Sequence, residues 1–428
     1  MKTTAKFPNW LPWLCFTLLM IALVALGYRK QANNPAGSDF DVYLQAARLM
    51  LEEAELYQVP THGVHYYRYP PLLAFLTGPL ARLSFESALL VWLTSNAIIV
   101  SVVCLAWYRI VTGMLFWRER ARIQWAMGGV ALLVSLRYVL SHFNYGQVNL
   151  TVLALLVFGC VLIFKDRSVS GGVLIGISMA VKPFALPFLV WFTVSRRWRV
   201  LIAVMAGGLI GALLPASRVG FYQNLEYLKQ WISHLADSVS PTNIWLASNN
   251  VSLYASLQRL FSDIEVRHLD GTMSSVSILY LPTVAVEILT WLVFLALLGW
   301  IAMVARKYGS SSDTRVRSAV ASFMFAVIPV LTTTAQKHYF VMIIPAIIYV
   351  LCAWKVFNCR DAAFRVLVVV SFMLLAATGP AIWPKAWAQI FQSAGVISIA
   401  AILLAAAIAR SINAPDLHSA TENPRNVS

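Results

Sequence analysis

Charge is what this sequence has least of. Only 12% of its 428 residues are charged and 59% are hydrophobic, against roughly a quarter charged in soluble domains. That balance excludes a water-soluble globular protein and a disordered chain alike. Acid is scarcer than base, with 18 Asp and Glu against 33 Lys and Arg and a formal charge of +15. The excess is not a nucleic-acid footprint. The basic residues fall in short clusters between apolar runs, where cytoplasmic loops of membrane proteins carry them. Cysteine is also sparse: Cys15, Cys104, Cys160 and Cys352 lie inside apolar runs and Cys359 beside a basic loop, so neither a disulfide framework nor a metal cluster is indicated. What the chain has in quantity is apolar runs of span length. The fold class they predict is an all-α integral membrane protein, a polytopic bundle of about twelve membrane helices with both termini inside.

The first run, Trp10 to Gly27, ends in Tyr28-Arg29-Lys30 without a small-residue cleavage site, which reads as an uncleaved span. Further spans are expected at about 88–108, 123–141, 148–164, 200–214, 282–304, 318–334, 339–357, 364–381 and 390–410. Residues 72–83 are too short to cross a bilayer of ~30 Å. Making them re-entrant keeps Arg109, Arg118, Arg120 and Arg122 inside. The run 171–194 is interrupted at Val181-Lys182-Pro183 and has basic residues at both ends, a hairpin of two short helices with Lys182 at its tip. The organisation expected is one catalytic bundle, residues 1–410, with extracytoplasmic loops 28–70 and 215–280 and a disordered cytoplasmic tail, 411–428. Its place is the cytoplasmic (inner) membrane, as a multi-pass protein with its site on the extracytoplasmic side.

The first loop carries an amphipathic helix starting at Asp39, since Ser38-Asp39-Phe40-Asp41 has a good N-cap and an acidic third position. Val42, Ala46, Leu49 and Met50 share one face, so the helix should lie on the membrane surface or against the bundle. The topology brings Asp39, Asp41, Arg68, Asn144, Gln147, Lys182, Asn249, Asn250, Lys337 and His338 to one side. Carboxylates, amides and cations over a hydrocarbon bundle suit a reaction between a lipid-linked anion and a polar acceptor. Capping alone also accounts for Asp39 and Asp41, and a transporter or flippase also uses interrupted helices and midplane charge. Asp39 and Asp41 mimic a metal-binding pair, but i and i+2 on a helix point about 200° apart, so no shared metal is expected.

Asp39-Phe40-Asp41-Val42-Tyr43-Leu44-Gln45-Ala46-Ala47, Leu56-Tyr57, Tyr69-Pro70-Pro71, Gly146-Gln147-Val148-Asn149, Lys182-Pro183, Asn249 to Leu253 with Arg259, and His338-Tyr339 resemble, in order, the recurring blocks of glycosyltransferase family 87. The resemblance implies a GT-C membrane architecture, a polyprenyl-phosphate-sugar donor, a lipid or glycan acceptor, no nucleic-acid partner and no cofactor. It places a catalytic aspartate at Asp39, with Asp41 and Tyr43 in support. Lys182, Lys337, His338 and Arg68 would hold the donor phosphate, and Asn144, Gln147, Asn149, Asn249 and Asn250 the sugar or acceptor. The sequence departs from the family where His-His-Tyr is usual, having Lys337-His338-Tyr339. A base at a helix N-terminus is held ionised and weakened by the dipole, so orientation must supply much of its effect. Because the acids cannot share an ion, chelator added to a transfer assay should leave the rate unchanged; a loss restored by a divalent cation would contradict this.

Overall fold

The computed structural model describes residues 10–60, 65–114, 121–238, 247–268, 271–379 and 381–413. Its first half runs α1 (Leu11–Asn33), α2 (Asp39–Leu51), α3 (Pro71–Thr77), α4 (Phe85–Thr112), α5 (Ala121–Tyr145), α6 (Asn149–Phe164), α7 (Ser168–Val181), α8 (Leu186–Val194) and α9 (Trp198–Leu213). The second half has α10 (Ala216–Val219), α11 (Phe221–Ser238), α12 (Leu253–Phe261), α13 (Thr283–Tyr308), α14 (Thr314–Val327), α15 (Ile344–Lys355), α16 (Ala362–Ala377), α17 (Lys385–Ser393) and α18 (Val396–Ile412). Among the described residues the sole sheet is a two-stranded antiparallel ribbon, Val266–Arg267 with Met273–Ser274. This is an all-α multi-pass membrane protein.

Six helices are long and apolar enough to cross a membrane, seven if α17 and α18, bent by 58°, form one broken span. The expectation of twelve membrane helices is therefore not a count of full crossings. At 1.5 Å per residue the 16-residue α6 spans about 24 Å and the apolar stretch Pro71–Leu80 about 15 Å. The second cannot cross, as expected of a re-entrant piece. Burial sorts the spans by position. In Lys337–Lys355 the apolar window is 83% buried, in Leu11–Asn33 only 11%, so the former threads the centre of the bundle and the latter lies on its rim. Both are apolar because lipid and core make the same demand.

The hairpin at Lys182 is present: α7 stops at Val181, residues 182–185 are not helical, and α8 begins at Leu186. Pro183 removes an amide donor and disfavours helix at the preceding residue. The second long loop contains α11, α12 and the ribbon. Arg259 clips it, its guanidinium donating to the carbonyls of Asn250 (2.9 Å) and Ala247 (2.6 Å). Of the tail, Ser411 and Ile412 extend α18; residues 414–428, expected to be disordered, lie outside the described residues.

Close packing of α7 on α9 fixes the hairpin. It depends on glycine: a Cβ on Gly176 would meet the Val204 carbonyl, and one on Gly207 that of Val173. Gly176→Ala should lower thermal stability by about 1–3 kcal/mol, the usual penalty of overpacking. Gly129→Ala, where a Cβ meets nothing within 4 Å, should not; equal melting temperatures for the two variants would overturn this account.

Candidate active site

Five chain segments meet at one end of the bundle. The first is the start of α2, where the Ser38 hydroxyl accepts from the Asp41 amide at 3.4 Å and donates to Gln31 Oε1. Gln31, at the end of α1, also donates to the Phe143 carbonyl at 2.7 Å, so one buried amide ties the cap of α2 to the end of α5. The helix does not rest on one face as its pattern suggested. Phe40, Tyr43, Leu44 and Ala47 are buried along with Val42, Ala46 and Met50, because α2 is wedged among α3, α4 and the α5–α6 turn. The Phe40 ring stacks on Trp92 at 5.3 Å, and the Trp92 indole donates to the Gly146 carbonyl at 2.9 Å.

The second segment is that turn. α5 ends in a Schellman closure, Gly146 N–H to Phe143 O (3.4 Å) and Gln147 N–H to His142 O (3.2 Å). Gly146 has φ of 64°, and a Cβ there would sit 2.6 Å from both Gln31 Oε1 and Phe40 Cβ. No other residue fits. The closure aims Gln147 at α2, where its amide nitrogen donates to Asp39 Oδ2. Its amide oxygen receives the Tyr43 hydroxyl at 3.4 Å and the Tyr69 hydroxyl at 3.5 Å, and the two phenols bond each other at 3.0 Å. Tyr69, from the third segment, was not singled out by sequence as a site residue. Its one signal was membership of the Tyr69-Pro70-Pro71 block.

Lys182 and residues 338–339 complete the site. Lys182 is buried at the hairpin break and makes no ion pair among the described residues. Its ammonium donates to Asn149 Oδ1 at 2.9 Å and lies 3.9, 4.8 and 5.3 Å from the ring centres of Tyr339, Phe184 and Tyr69. Asn149 in turn donates to the His338 carbonyl at 3.0 Å. The His338 ring packs 5.8 Å from Tyr145, and its Nδ1 is buried without a hydrogen-bond partner among the described residues. His142 is buried too, with Nε2 3.0 Å from Asn96 Oδ1. Asp39 is affected by this setting. Burial pushes its carboxyl above the ordinary value, opposed by the Gln147 hydrogen bond and by the charges of Lys182 and His65. The dipole argument, which predicted a weakened base, is outweighed by desolvation.

The remaining candidates separate. Arg68 is exposed at the rim, its charge felt by Tyr339. Asn144 is half-buried and makes no side-chain hydrogen bond among the described residues. Asn250 uses its amide on the backbone, Oδ1 accepting from Ser252 and Ala335 and Nδ2 donating to Thr333 O. It braces a loop, with Asn249 half-buried beside it. Asp41 is buried in α2 beside the cap. Lys337 is half-buried, and its side chain makes no hydrogen bond among the described residues.

A multi-pass helical bundle that gathers a half-buried carboxylate held by a side-chain amide, a buried cation and further amides at one end is an arrangement for group transfer at a membrane surface. The family model of glycosyltransferase family 87 matches residues 67–333. The chain belongs to that family and is a glycosyltransferase. It is 24% identical over 87% of its length to a polyprenol-phosphate-mannose-dependent α-(1-2)-phosphatidylinositol mannoside mannosyltransferase of Mycolicibacterium smegmatis, covering 82% of that protein. To the protein of the same description from Mycobacterium tuberculosis it is 28% identical over 46% of this chain and 49% of that one. An α-(1->3)-arabinofuranosyltransferase of Corynebacterium glutamicum is 21% identical over 80% of this chain and 74% of its own. The crystal structure of ArnT from Cupriavidus metallidurans in the apo state aligns over 93% of this chain and 77% of that one, at 15% identity and a TM-score of 0.37, too distant to define the fold.

If Asp39 acts deprotonated, activity falls as pH drops through its raised pKa, so the acid limb of kcat/KM should lie above the ordinary carboxylate range. Gln147→Leu removes a donor that lowers that pKa and should move the limb to still higher pH. A limb unchanged by the substitution would dissociate Gln147 from the ionisation that matters.

Proposed function

We propose that this glycosyltransferase moves a hexose, with mannose the favoured sugar, from a polyprenyl-phosphate carrier to a lipid or glycan acceptor on the extracytoplasmic side, inverting the anomeric centre, with Asp39 as general base. The observation that carries the reading is a single carboxylate of raised pKa, oriented by Gln147 and opposed by the buried ammonium of Lys182. In such a step the acceptor oxygen attacks the anomeric carbon from the face opposite the phosphate. Its proton passes to Asp39, and the electron pair of the breaking carbon–oxygen bond goes to the phosphate. The phosphate needs charge neutralisation rather than a proton, which Lys182 supplies, joined by Arg68 at the rim, while the buried His338 ring offers a hydrogen bond. Asn144 and Asn249 are offered for sugar hydroxyls, with Tyr43 holding the Gln147 amide; Asn149, fully buried with both ends of its amide used, braces Lys182 instead.

A further observation supports a lipid-linked donor. Apolar cavities of 520 and 620 Å³ run along α1 and α4, and Phe16, Met20 and Ser101 line both. Together they follow α1 from Pro12 to Tyr28, one turn short of Gln31, a length suited to an isoprenoid chain whose phosphate sits at the site. The mycobacterial relatives favour mannose, while the corynebacterial one, named for arabinofuranose, makes the sugar the point to test.

Purified protein given labelled polyprenyl-phosphate-mannose and membrane lipid extract should transfer label, and Asp39→Asn should lower the rate by about 10²–10⁴. Equal rates for both forms would remove Asp39 from the role of base. Substrate flux across vesicles without transfer would favour a transporter.

A further inference from the structure

Lys30, in the last turn of α1, has no part in the reaction described above. Its side chain is exposed and makes no hydrogen bond or ion pair among the described residues. What holds it is an aromatic face: the ammonium stands 4.3 Å from the ring centre of Tyr145. The same ring packs on His338, 5.8 Å away centre to centre, whose Nδ1 is buried without a hydrogen-bond partner among the described residues. One ring therefore joins an ammonium and an imidazole nitrogen, neither of which has a hydrogen-bond acceptor or donor among the described residues.

Packing sets Lys30 there. A Cβ on Gly27 would lie 2.8 Å from the Phe143 carbonyl, so the end of α1 closes on the end of α5 as tightly as glycine allows. One turn on, Gln31 donates to that same carbonyl and accepts from Ser38, the residue before Asp39. Tyr145 stands two residues before Gln147, whose amide donates to Asp39 Oδ2. The pair of Lys30 and Tyr145 is thus bracketed, on both chain segments, by groups that hold the start of α2. In the other direction α1 leads into the bilayer. Its Pro12, Phe16 and Leu19 line the 520 Å³ apolar cavity, and Leu23 is buried one turn further on. Positions 12, 16, 19, 23 and 30 recur at helical spacing, so Lys30 ends the stripe of α1 that lines the cavity lower down.

A carrier whose tail lies in that cavity and whose sugar lies at Asp39 has its phosphate between the two, along this end of α1. An exposed cation–π contact is weaker than a charge-assisted hydrogen bond, so an anion arriving there draws the ammonium off the ring. We infer that Lys30 is a further binding residue for the donor, meeting the phosphate of a polyprenyl-phosphate carrier where the tail cavity opens onto the site, while Lys182 faces it from the buried side. This rests on the transferase reading above, and it gives Lys30 a part in binding the carrier rather than in the chemical step. A lysine at a span end also snorkels to any lipid headgroup, which is the alternative the test must separate.

Lys30→Gln, at an exposed position, should melt with wild type. With polyprenyl-phosphate-mannose as donor it should raise the donor KM about tenfold, the loss of one charge-assisted bond, and leave kcat and the acceptor KM unchanged. Lys30→Arg, which keeps the charge, should recover most of the affinity. An unchanged donor KM in K30Q, a fall in kcat alone, or the same loss in K30R would overturn the assignment. Binding of the carrier by itself separates this inference from the function it rests on. Purified protein in phosphatidylcholine nanodiscs should retain polyprenyl phosphate in preference to uncharged polyprenol, and K30Q should weaken that preference by a similar factor. If the preference shifts and no sugar is transferred, the binding residue stands and the transferase reading falls. An equal preference in the two proteins would overturn the site. Equal weakening of phosphatidylglycerol retention in K30Q would make Lys30 a general headgroup contact and overturn its assignment to the carrier.

Discussion

One side-chain amide organises the site. Gln147 has a donating and an accepting end, and its neighbours leave no choice of orientation: an ionised Asp39 can only accept, so the NH₂ faces it and the oxygen is left for the hydroxyls of Tyr43 and Tyr69. The aspartate is aimed through this amide, and the amide through the turn beneath it. Gly146 allows α5 to close and α6 to begin beside α2, and Gln31 ties the same turn to the N-cap of α2. Three helices are thereby registered by groups within a few residues of one glycine.

The second constraint is the buried cation. Removing an ammonium from water costs several kcal/mol even after relaxation. Against this Lys182 has a hydrogen bond to Asn149 and aromatic faces nearby, contributions of about 1–3 and 0.5–2 kcal/mol respectively. These offset much of the cost and leave a positive field at the site. The field and the desolvation act on Asp39 in opposite senses, and desolvation wins. An aspartate more basic than a solvated one is the product of that balance.

Much of the scaffold was legible in the sequence because its causes are local. Ser38 caps α2, Pro183 breaks the hairpin, and the apolar runs fall where the helices are found. The grouping of Asp39, Gln147, Lys182 and His338 at one end also followed from the order of spans and loops. What could not be read depends on orientation through space. Nothing local separates Lys337 from His338, yet His338 is buried against Tyr145 while Lys337 is only half-buried. Asn250 looked like a sugar ligand because an amide in a loop has the same sequence signature whether it meets a hydroxyl or, as here, Thr333 and Ala335. Arg137 hid inside a run read as apolar, and the carbonyls that steady it come from a helix more than 230 residues later in the chain. The basicity of Asp39 was misjudged for the same reason: its helix is local, whereas the burial that outweighs the dipole comes from four other segments.

The charge on Lys182 has a kinetic consequence for an enzyme that spends a lipid carrier. A sugar phosphodiester brings one negative charge to the site, but the monoester left behind approaches two near neutral pH. In the proposed reaction, an ammonium that eases departure of the leaving group would therefore hold the spent carrier more firmly than the loaded one. On the proposed roles, release of the spent carrier to the bilayer is the step this charge would slow, and the ratio of empty to charged carrier would throttle the reaction.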